Sequence, residues 1–219
     1  MDTLLNLTAR RWACAAAAGA LLLCLYGCSQ PTEKKPAAVA EHAPEVYRVN
    51  LDTTKGAVII EVTRNWAPLG ADRFYELVKS GFFDGARFFR VVRNFVVQFG
   101  ISGDPKVTER WNNTEFPDDP VKESNVKGTI TFATRGPATR TTQVFINLRD
   151  NAMLDTQGFA PFGKVVSGMD AVEDFYKAYG DMPPSGEGPD PQRIQREGNQ
   201  YLESHFPRLD YIKKATIAP

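Results

Sequence analysis

After residue 28 this chain has no cysteine and only two histidines, so it has few residues for nucleophilic, metal or redox chemistry. The three cysteines, Cys14, Cys24 and Cys28, all lie within the first 28 of 219 residues, so the remainder can form no disulfide and offers no thiol nucleophile. Two histidines, His42 and His205, leave almost nothing for a catalytic triad or a zinc site. The 26 basic and 26 acidic residues cancel, so no net field attracts nucleic acid. We therefore expect no cofactor, no metal and no nucleic-acid partner.

The N terminus also lacks an apolar run of ordinary membrane-spanning length. Arg10 and Arg11 precede fourteen largely apolar residues, 12–25. A basic start followed by a run this short is typical of a secretory signal peptide, whereas a helix needs about 20 residues to cross a bilayer. An uncleaved membrane anchor is the alternative, and a twin-arginine signal matches the surrounding residues poorly.

The end of this segment, Leu25-Tyr26-Gly27-Cys28, resembles the lipobox of bacterial lipoproteins. The resemblance implies cleavage before Cys28 and acylation of that cysteine; Cys24 is a poorer candidate because it follows a large leucine. Several acyl chains on one residue hold a protein firmly at a membrane. Ser29, in place of the Asp that retains enteric lipoproteins at the inner membrane, favours the outer membrane. We expect a lipid-anchored protein of the bacterial cell envelope that faces the periplasm.

These features divide the chain into three parts. Residues 1–27 are the expected signal peptide, and residues 28–45, rich in Pro and Ala, form a flexible tether that cannot bury a core. Residues 46–219 form one domain with a C-terminal extension at 180–207. Alternating apolar residues predict strands at 46–54, 57–63, 128–133, 143–148, 160–166 and 208–217. Helices are predicted from Pro68 to Gly81, over 168–178, and from Asp190 to about Ser204.

Residues 88–100, Phe-Phe-Arg-Val-Val-Arg-Asn-Phe-Val-Val-Gln-Phe-Gly, read as two buried strands joined by a tight turn. Arg90 and Gln98 lie one on each strand within apolar surroundings. A buried guanidinium is costly unless its five N–H groups find acceptors. Arg90 is therefore either a structural arginine satisfied by backbone carbonyls or part of a functional site.

Three segments favour the functional interpretation. Residues 88–100 resemble the active-site hairpin of the cyclophilin family of peptidyl-prolyl isomerases, residues 128–147 resemble its second signature, and residues 154–165 match the strand that follows. The resemblance implies a mainly β fold, a closed antiparallel barrel capped by two helices, here with an extra C-terminal helix and loop. It also implies an enzyme that binds proline-containing polypeptides, which we expect to act as a monomer.

The same resemblance implies roles for individual residues. Arg90 would be the catalytic donor, with Gln98 holding it or binding a substrate carbonyl. The remaining residues expected to bind substrate are Phe95, Val96, Thr134, Gln143, Phe145, Met153, Leu154 and Phe159. The mechanism requires that the Arg90 side chain face a cavity and not be locked to an internal carboxylate.

The chain departs from many eukaryotic members at Phe89, where they have His, at Val96, where Met is frequent, and at Met153, where drug-sensitive members have Trp. We therefore expect weak inhibition by cyclosporin. Thr134 and residues 140–142 replace a common Asn and Gly-Ser, which leaves the preference around the proline open. A proline-peptide binding module and a structural envelope lipoprotein are the rival functions, and the extra helix is either plain packing or a partner surface.

Overall fold

The computed structural model describes residues 42–218. The predicted signal peptide, Cys28 and nearly all of the predicted tether lie outside these residues. Within the described range, no helix is both long enough and apolar enough to cross a membrane.

Eight antiparallel strands form a single curled sheet, a half-barrel in the order β3-β4-β6-β5-β7-β2-β1-β8. The sheet begins with two long strands that pair as a hairpin through a turn at Thr54 and Lys55. The strands are β1 (Val46–Thr53), β2 (Gly56–Thr63), β3 (Arg90–Val92), β4 (Val96–Phe99), β5 (Thr129–Phe132), β6 (Val144–Asn147), β7 (Pro161–Ser167) and β8 (Ile212–Ile217). The mainly β, antiparallel prediction is confirmed.

The two edge strands of this sheet, β3 and β8, approach each other through the residues that precede them. Arg87 and Tyr211 form an isolated antiparallel bridge, and the backbone N–H of Phe88 donates to the carbonyl of Asp210 at 3.0 Å. Main-chain groups that would otherwise remain unpaired are satisfied here, which protects the edges of the sheet.

Helices pack on the sheet and in its connections: α1 (Pro68–Lys79), α2 (Pro105–Trp111), a 3₁₀ helix (Ala152–Gln157), α3 (Met169–Glu173) and α4 (Pro191–His205). Helix α1 buries the predicted face of Ala71, Phe74, Leu77 and Val78. Helix α3 ends at Glu173, earlier than the predicted 178. Phe175 is nevertheless fully buried and stacks on Phe88, so packing places it without helical backbone.

The long polar segment between β4 and β5 is ordered by one buried ion pair. Arg140 Nη1 lies 3.0 Å from Asp119 Oδ2, and both side chains are almost fully buried. The same carboxylate accepts the backbone N–H groups of Leu69 and Gly70 at the start of α1. An acidic group at a helix N terminus satisfies free donors and complements the helix dipole. The segment therefore fastens α1 to the loop that precedes β6.

The extension, residues 180–207, packs against Phe89, just before β3, and Ile101, just after β4. Its apolar contacts form the extension cluster, which contains Phe89, Ile101, Ile194, Tyr201, Leu202 and Leu209 with Tyr179 and Phe206 against it. Helix α4 is kinked at Gly198, whose φ is +60° and whose missing Cβ would lie 2.2 Å from the carbonyl oxygen of Gly103. The next residue, Asn199, donates its backbone N–H to that carbonyl and its side-chain amide to Gly85.

Candidate active site

Strand register brings three of the predicted site residues into one row. Arg90 on β3 pairs with Gln98 on β4, and Gln98 pairs in turn with Phe145 on β6. Directly paired residues point to the same face of a sheet, so the guanidinium, the amide and the aromatic ring lie side by side. This row follows from the turn at Arg93 and Asn94, where Asn94 adopts a left-handed conformation with φ of 55°.

A chain of polar contacts runs across this face. Arg90 donates from Nε to Asp181 Oδ1 at 2.6 Å and from Nη2 to Asp181 Oδ2 at 3.3 Å. Its Nη1 donates to Gln98 Oε1 at 3.0 Å, and Gln98 Nε2 donates to Gln143 Oε1 at 3.0 Å. The hydrogen bonds from Arg90 lower the pKa of Asp181 below its usual value, so the carboxylate is charged at neutral pH.

The apolar residues predicted to bind proline lie beside this polar chain. Val96, Phe145 and Leu154 form a small buried cluster, with Phe95, Ala133 and Phe159 packed against it. The Arg90 guanidinium carbon lies 5.6 Å from the centre of the Phe95 ring, a cation–π distance that joins the polar and apolar halves. Met153, immediately before Leu154, is 48% exposed. The structure therefore brings the apolar site residues together, with Met153 more accessible than the rest.

Buried amides fix the wall of the apolar cluster. Asn151 donates to the carbonyl of Phe95 and to Asn147 Oδ1, which ties the start of the 3₁₀ helix to the residue before β4 and to β6. Asp155 accepts hydrogen bonds from the Ser124 hydroxyl and from the backbone and side chain of Asn125. These contacts hold Leu154 in place, and nothing in the sequence pattern predicted the 3₁₀ helix that carries it.

A cavity of about 480 Å³ opens next to Gln98 and Gln143. One wall comes from the loop between β5 and β6, where Thr134 lies with Oγ1 2.9 Å from the hydroxyl of Thr139. The opposite wall comes from the extension, through Met182, Pro183, Asp190, Pro191, Gln192 and Gln195. Thr134 and Gln143 therefore both line this cavity, and the wall supplied by the extension was not foreseen.

Asp181 is the site residue that sequence reasoning missed. The predicted mechanism required that Arg90 face a cavity and not be locked to an internal carboxylate. In the structure Arg90 pairs with the carboxylate of Asp181, and Gln98 rather than Arg90 lines the cavity. Ninety-one residues separate the two partners, and no local pattern marks an acidic residue in a Pro/Gly-rich loop as a site residue. The one signal available in the sequence was that a buried Arg90 guanidinium needs hydrogen-bond acceptors. Asp181 is itself about a quarter exposed, so it lies at the rim of the site.

The ion pair leaves Arg90 with donors to spare. Of the five N–H groups of a guanidinium, three donate to Asp181 and Gln98, which leaves two for a bound peptide. The site thus combines an apolar cluster, a permanently charged donor beside it and a polar cavity next to Gln98 and Gln143. An arrangement of this kind can hold a proline-containing peptide and place a hydrogen-bond donor against it. The fold and site together define a cyclophilin-like peptide-binding domain.

Comparison with known proteins identifies the family. The family model for cyclophilin type peptidyl-prolyl cis-trans isomerases matches residues 48–195, and the chain belongs to this family of enzymes. It is 34% identical over 141 residues to a peptidyl-prolyl cis-trans isomerase of Acinetobacter baylyi, an alignment covering 62% of this chain and 74% of that one. Peptidyl-prolyl cis-trans isomerase A of Dickeya dadantii is 36% identical over 137 residues, covering 57% and 68%.

Solved structures share the fold at lower sequence identity. A cyclophilin type isomerase of Cryptosporidium parvum, crystallised in the presence of the dipeptide Ala-Pro, superposes with a TM-score of 0.57 at 20% identity and covers 78% of this chain and 99% of its own. The prediction of a cyclophilin-type peptidyl-prolyl cis-trans isomerase is confirmed. The lipoprotein form and the individual roles of the site residues stay predictions.

Proposed function

We propose that Arg90 accelerates rotation of Xaa-Pro bonds by donating a hydrogen bond to the imide nitrogen in the twisted state. Amide rotation has a barrier of about 18–20 kcal/mol because the nitrogen lone pair is delocalised into the carbonyl. In the twisted state that lone pair is localised and can accept a hydrogen bond. A donor that binds this state better than either planar isomer lowers the barrier, and neither a nucleophile nor proton transfer is needed.

The observation that carries this proposal is the position of Arg90 at the border of the apolar cluster with two N–H groups to spare. Phe95, Val96, Phe145, Leu154 and Phe159 would grip the proline ring. Gln98 would hold the guanidinium, as its 3.0 Å contact with Nη1 suggests, and Gln143 and Thr134 would bind the peptide strand. Because Gln98 holds the Arg90 guanidinium, its orientation is set before substrate binds.

A protease-coupled proline-peptide assay on residues 46–219 tests the role of Arg90. We expect Arg90→Ala to lower kcat/KM at least about a hundredfold, equivalent to roughly 2.7 kcal/mol of transition-state stabilisation. Arg93→Ala is the matched control, because Arg93 is an exposed arginine in the turn that follows β3. If Arg90→Ala retained nearly full kcat/KM, the catalytic role would be wrong, and a groove that mainly binds proline peptides would be the better description.

We also propose that the enzyme acts on secreted or envelope proteins while lipid-anchored through Cys28 and facing the periplasm. The lipobox-like end of the predicted signal peptide supports this location, and Ser29 favours the outer membrane over the inner one. Expression of the full chain in a bacterium, with membrane fractionation and mass spectrometry, tests the anchor. The full chain should fractionate with membranes and carry acyl mass at Cys28, Cys28→Ala should lose both, and Cys24→Ala should keep both. A full chain that stayed free of lipid would rule the anchor out.

A further inference from the structure

We infer that Asp181, contributed by the C-terminal extension, is a positioning residue of the active site that sets the orientation of Arg90. The inference rests on the proposed catalytic role of Arg90 and extends it to a residue outside the barrel. It gives the extension a part in the reaction beyond plain packing.

The geometry of the ion pair is that of a clamp. Asp181 occupies the side of the guanidinium formed by Nε and Nη2, at 2.6 and 3.3 Å, and Gln98 accepts from Nη1 on the other side. The guanidinium carbon lies over the Phe95 ring, 5.6 Å from its centre. Paired N–H···O bonds to a carboxylate restrict a guanidinium more tightly than one hydrogen bond can. Gln98 alone would leave the side chain free to rotate about the Nη1 contact.

The extension presents Asp181 on a compact loop. The backbone N–H of Gly188 donates to the carbonyl of Asp181 at 2.8 Å, and the N–H groups of Ser185 and Gly186 both donate to Met182 at 3.1 Å. The loop therefore closes on itself, and its carboxylate does not depend on Arg90 alone for its place. A second bond, from the Met182 N–H to Asp181 Oδ1 at 2.8 Å, fixes the carboxylate further.

The residue before Arg90 binds the same extension. Phe89 is 1% exposed and packs in the extension cluster with Ile194, Tyr201 and Leu202 of α4. Phe89 lies immediately before β3 and Arg90 is the first residue of β3, so one short stretch of chain packs on the extension with one side chain and binds its carboxylate with the next. Phe89 and Asp181 together explain how a segment remote in sequence reaches the catalytic arginine.

Charge and position predict a specific kinetic effect. Without the clamp, Arg90 keeps its charge but loses its fixed orientation, and a positioned donor acts mainly on the transition state. We expect Asp181→Asn to lower kcat/KM about tenfold, chiefly through kcat with KM little changed, because orientation rather than peptide affinity is lost. Asp181→Glu, which keeps the carboxylate on a longer arm, should recover part of the loss.

Steady-state or NMR exchange kinetics on the full chain, with thermal unfolding of each variant, test the inference. Glu187→Gln is the matched control, because it removes one negative charge from an exposed position of the same loop. An active wild type whose kcat/KM is unchanged by Asp181→Asn would overturn the positioning role. A rise in kcat/KM would also overturn it, since Asp181 would then be withholding Arg90 from substrate. A loss without recovery in Asp181→Glu and with a large fall in Tm would make the role structural. An inactive wild type would instead overturn the proposed role of Arg90 itself.

Discussion

Arg90 shows how far the properties of one residue depend on its neighbours. In the sequence it is a cation among β-branched and aromatic residues, and chemistry alone requires that something accept its hydrogen bonds. The structure supplies Gln98 from the adjacent strand and Asp181 from the extension. Strand pairing made the first partner predictable, because residues opposite each other in a hairpin share a face. The second partner depends on tertiary packing, which no local pattern encodes.

Met153 carries the residue-scale prediction about inhibitor binding. Its side chain is 48% exposed beside Leu154, at the position where cyclosporin-sensitive members have Trp. We expect weak cyclosporin inhibition of the wild type, and tighter inhibition of Met153→Trp by about tenfold, because an indole adds apolar contact area and an N–H donor. Inhibition constants from the proline-peptide assay provide the measurement.

Nanomolar inhibition of the wild-type domain would contradict this prediction. A suitable comparison is Gln157→Trp, which places an indole at another exposed position of the same 3₁₀ helix. If cyclosporin inhibited both tryptophan variants equally more tightly than wild type, the effect would come from general hydrophobicity and not from position 153.

At the scale of elements, regular patterns were predictable and connections were not. The alternating strands and the apolar face of α1 lie within a few residues of the predicted bounds, because periodicity reports burial directly. Helix α2 and the 3₁₀ helix were not predicted. The 3₁₀ helix is held by Asn151, whose partner Phe95 lies far along the chain, and α2 is a short helix capped by Asp104 within a polar segment. In the predicted active site, the apolar cluster followed from motif resemblance, while the wall supplied by the extension did not.

The kink in α4 gives the element-scale prediction. Gly198→Ala would place a Cβ 2.2 Å from the carbonyl oxygen of Gly103 and force a side chain into a conformation with φ of +60°. We expect the free energy of unfolding to fall by more than about 2 kcal/mol, because the backbone of α4 or of Gly103 has to move to admit the new methyl group. Urea denaturation of residues 46–219 measures the change.

Gly180→Ala separates the two contributions to that loss, the strain of a positive φ and the clash of the added Cβ. Gly180 also has a positive φ, +69°, but no atom lies within 4 Å of its missing Cβ, so only the backbone penalty of about 1 kcal/mol applies. Equal losses in the two variants would show that the close approach of α4 to Gly103 contributes nothing to stability.

For the whole molecule, acid sensitivity follows from carboxylates that the fold uses as hydrogen-bond acceptors. Burial raises the pKa of Asp155, but hydrogen bonds from Ser124 and Asn125 outweigh it and bring the pKa below its ordinary value. The Arg90 guanidinium likewise lowers the pKa of Asp181. A group whose pKa is lower in the folded state stabilises the protein above its unfolded pKa, near 4, and loses that contribution as pH falls through the folded value.

Tm of the wild type should therefore be nearly level from about pH 7 to 5 and fall below about pH 4. Asp155→Asn should have a lower Tm than wild type at neutral pH, and the gap should narrow in acid, where the wild-type carboxyl group also becomes neutral. Glu123→Gln, an exposed neighbour of Ser124, should follow the wild-type curve. A gap that stayed constant from neutral to acid pH would mean that Asp155 stabilises the 3₁₀ helix through shape alone and not through its charge. In that case, the polar network under the apolar cluster would hold the pocket equally well in acid, and pH would affect the site mainly through Asp181.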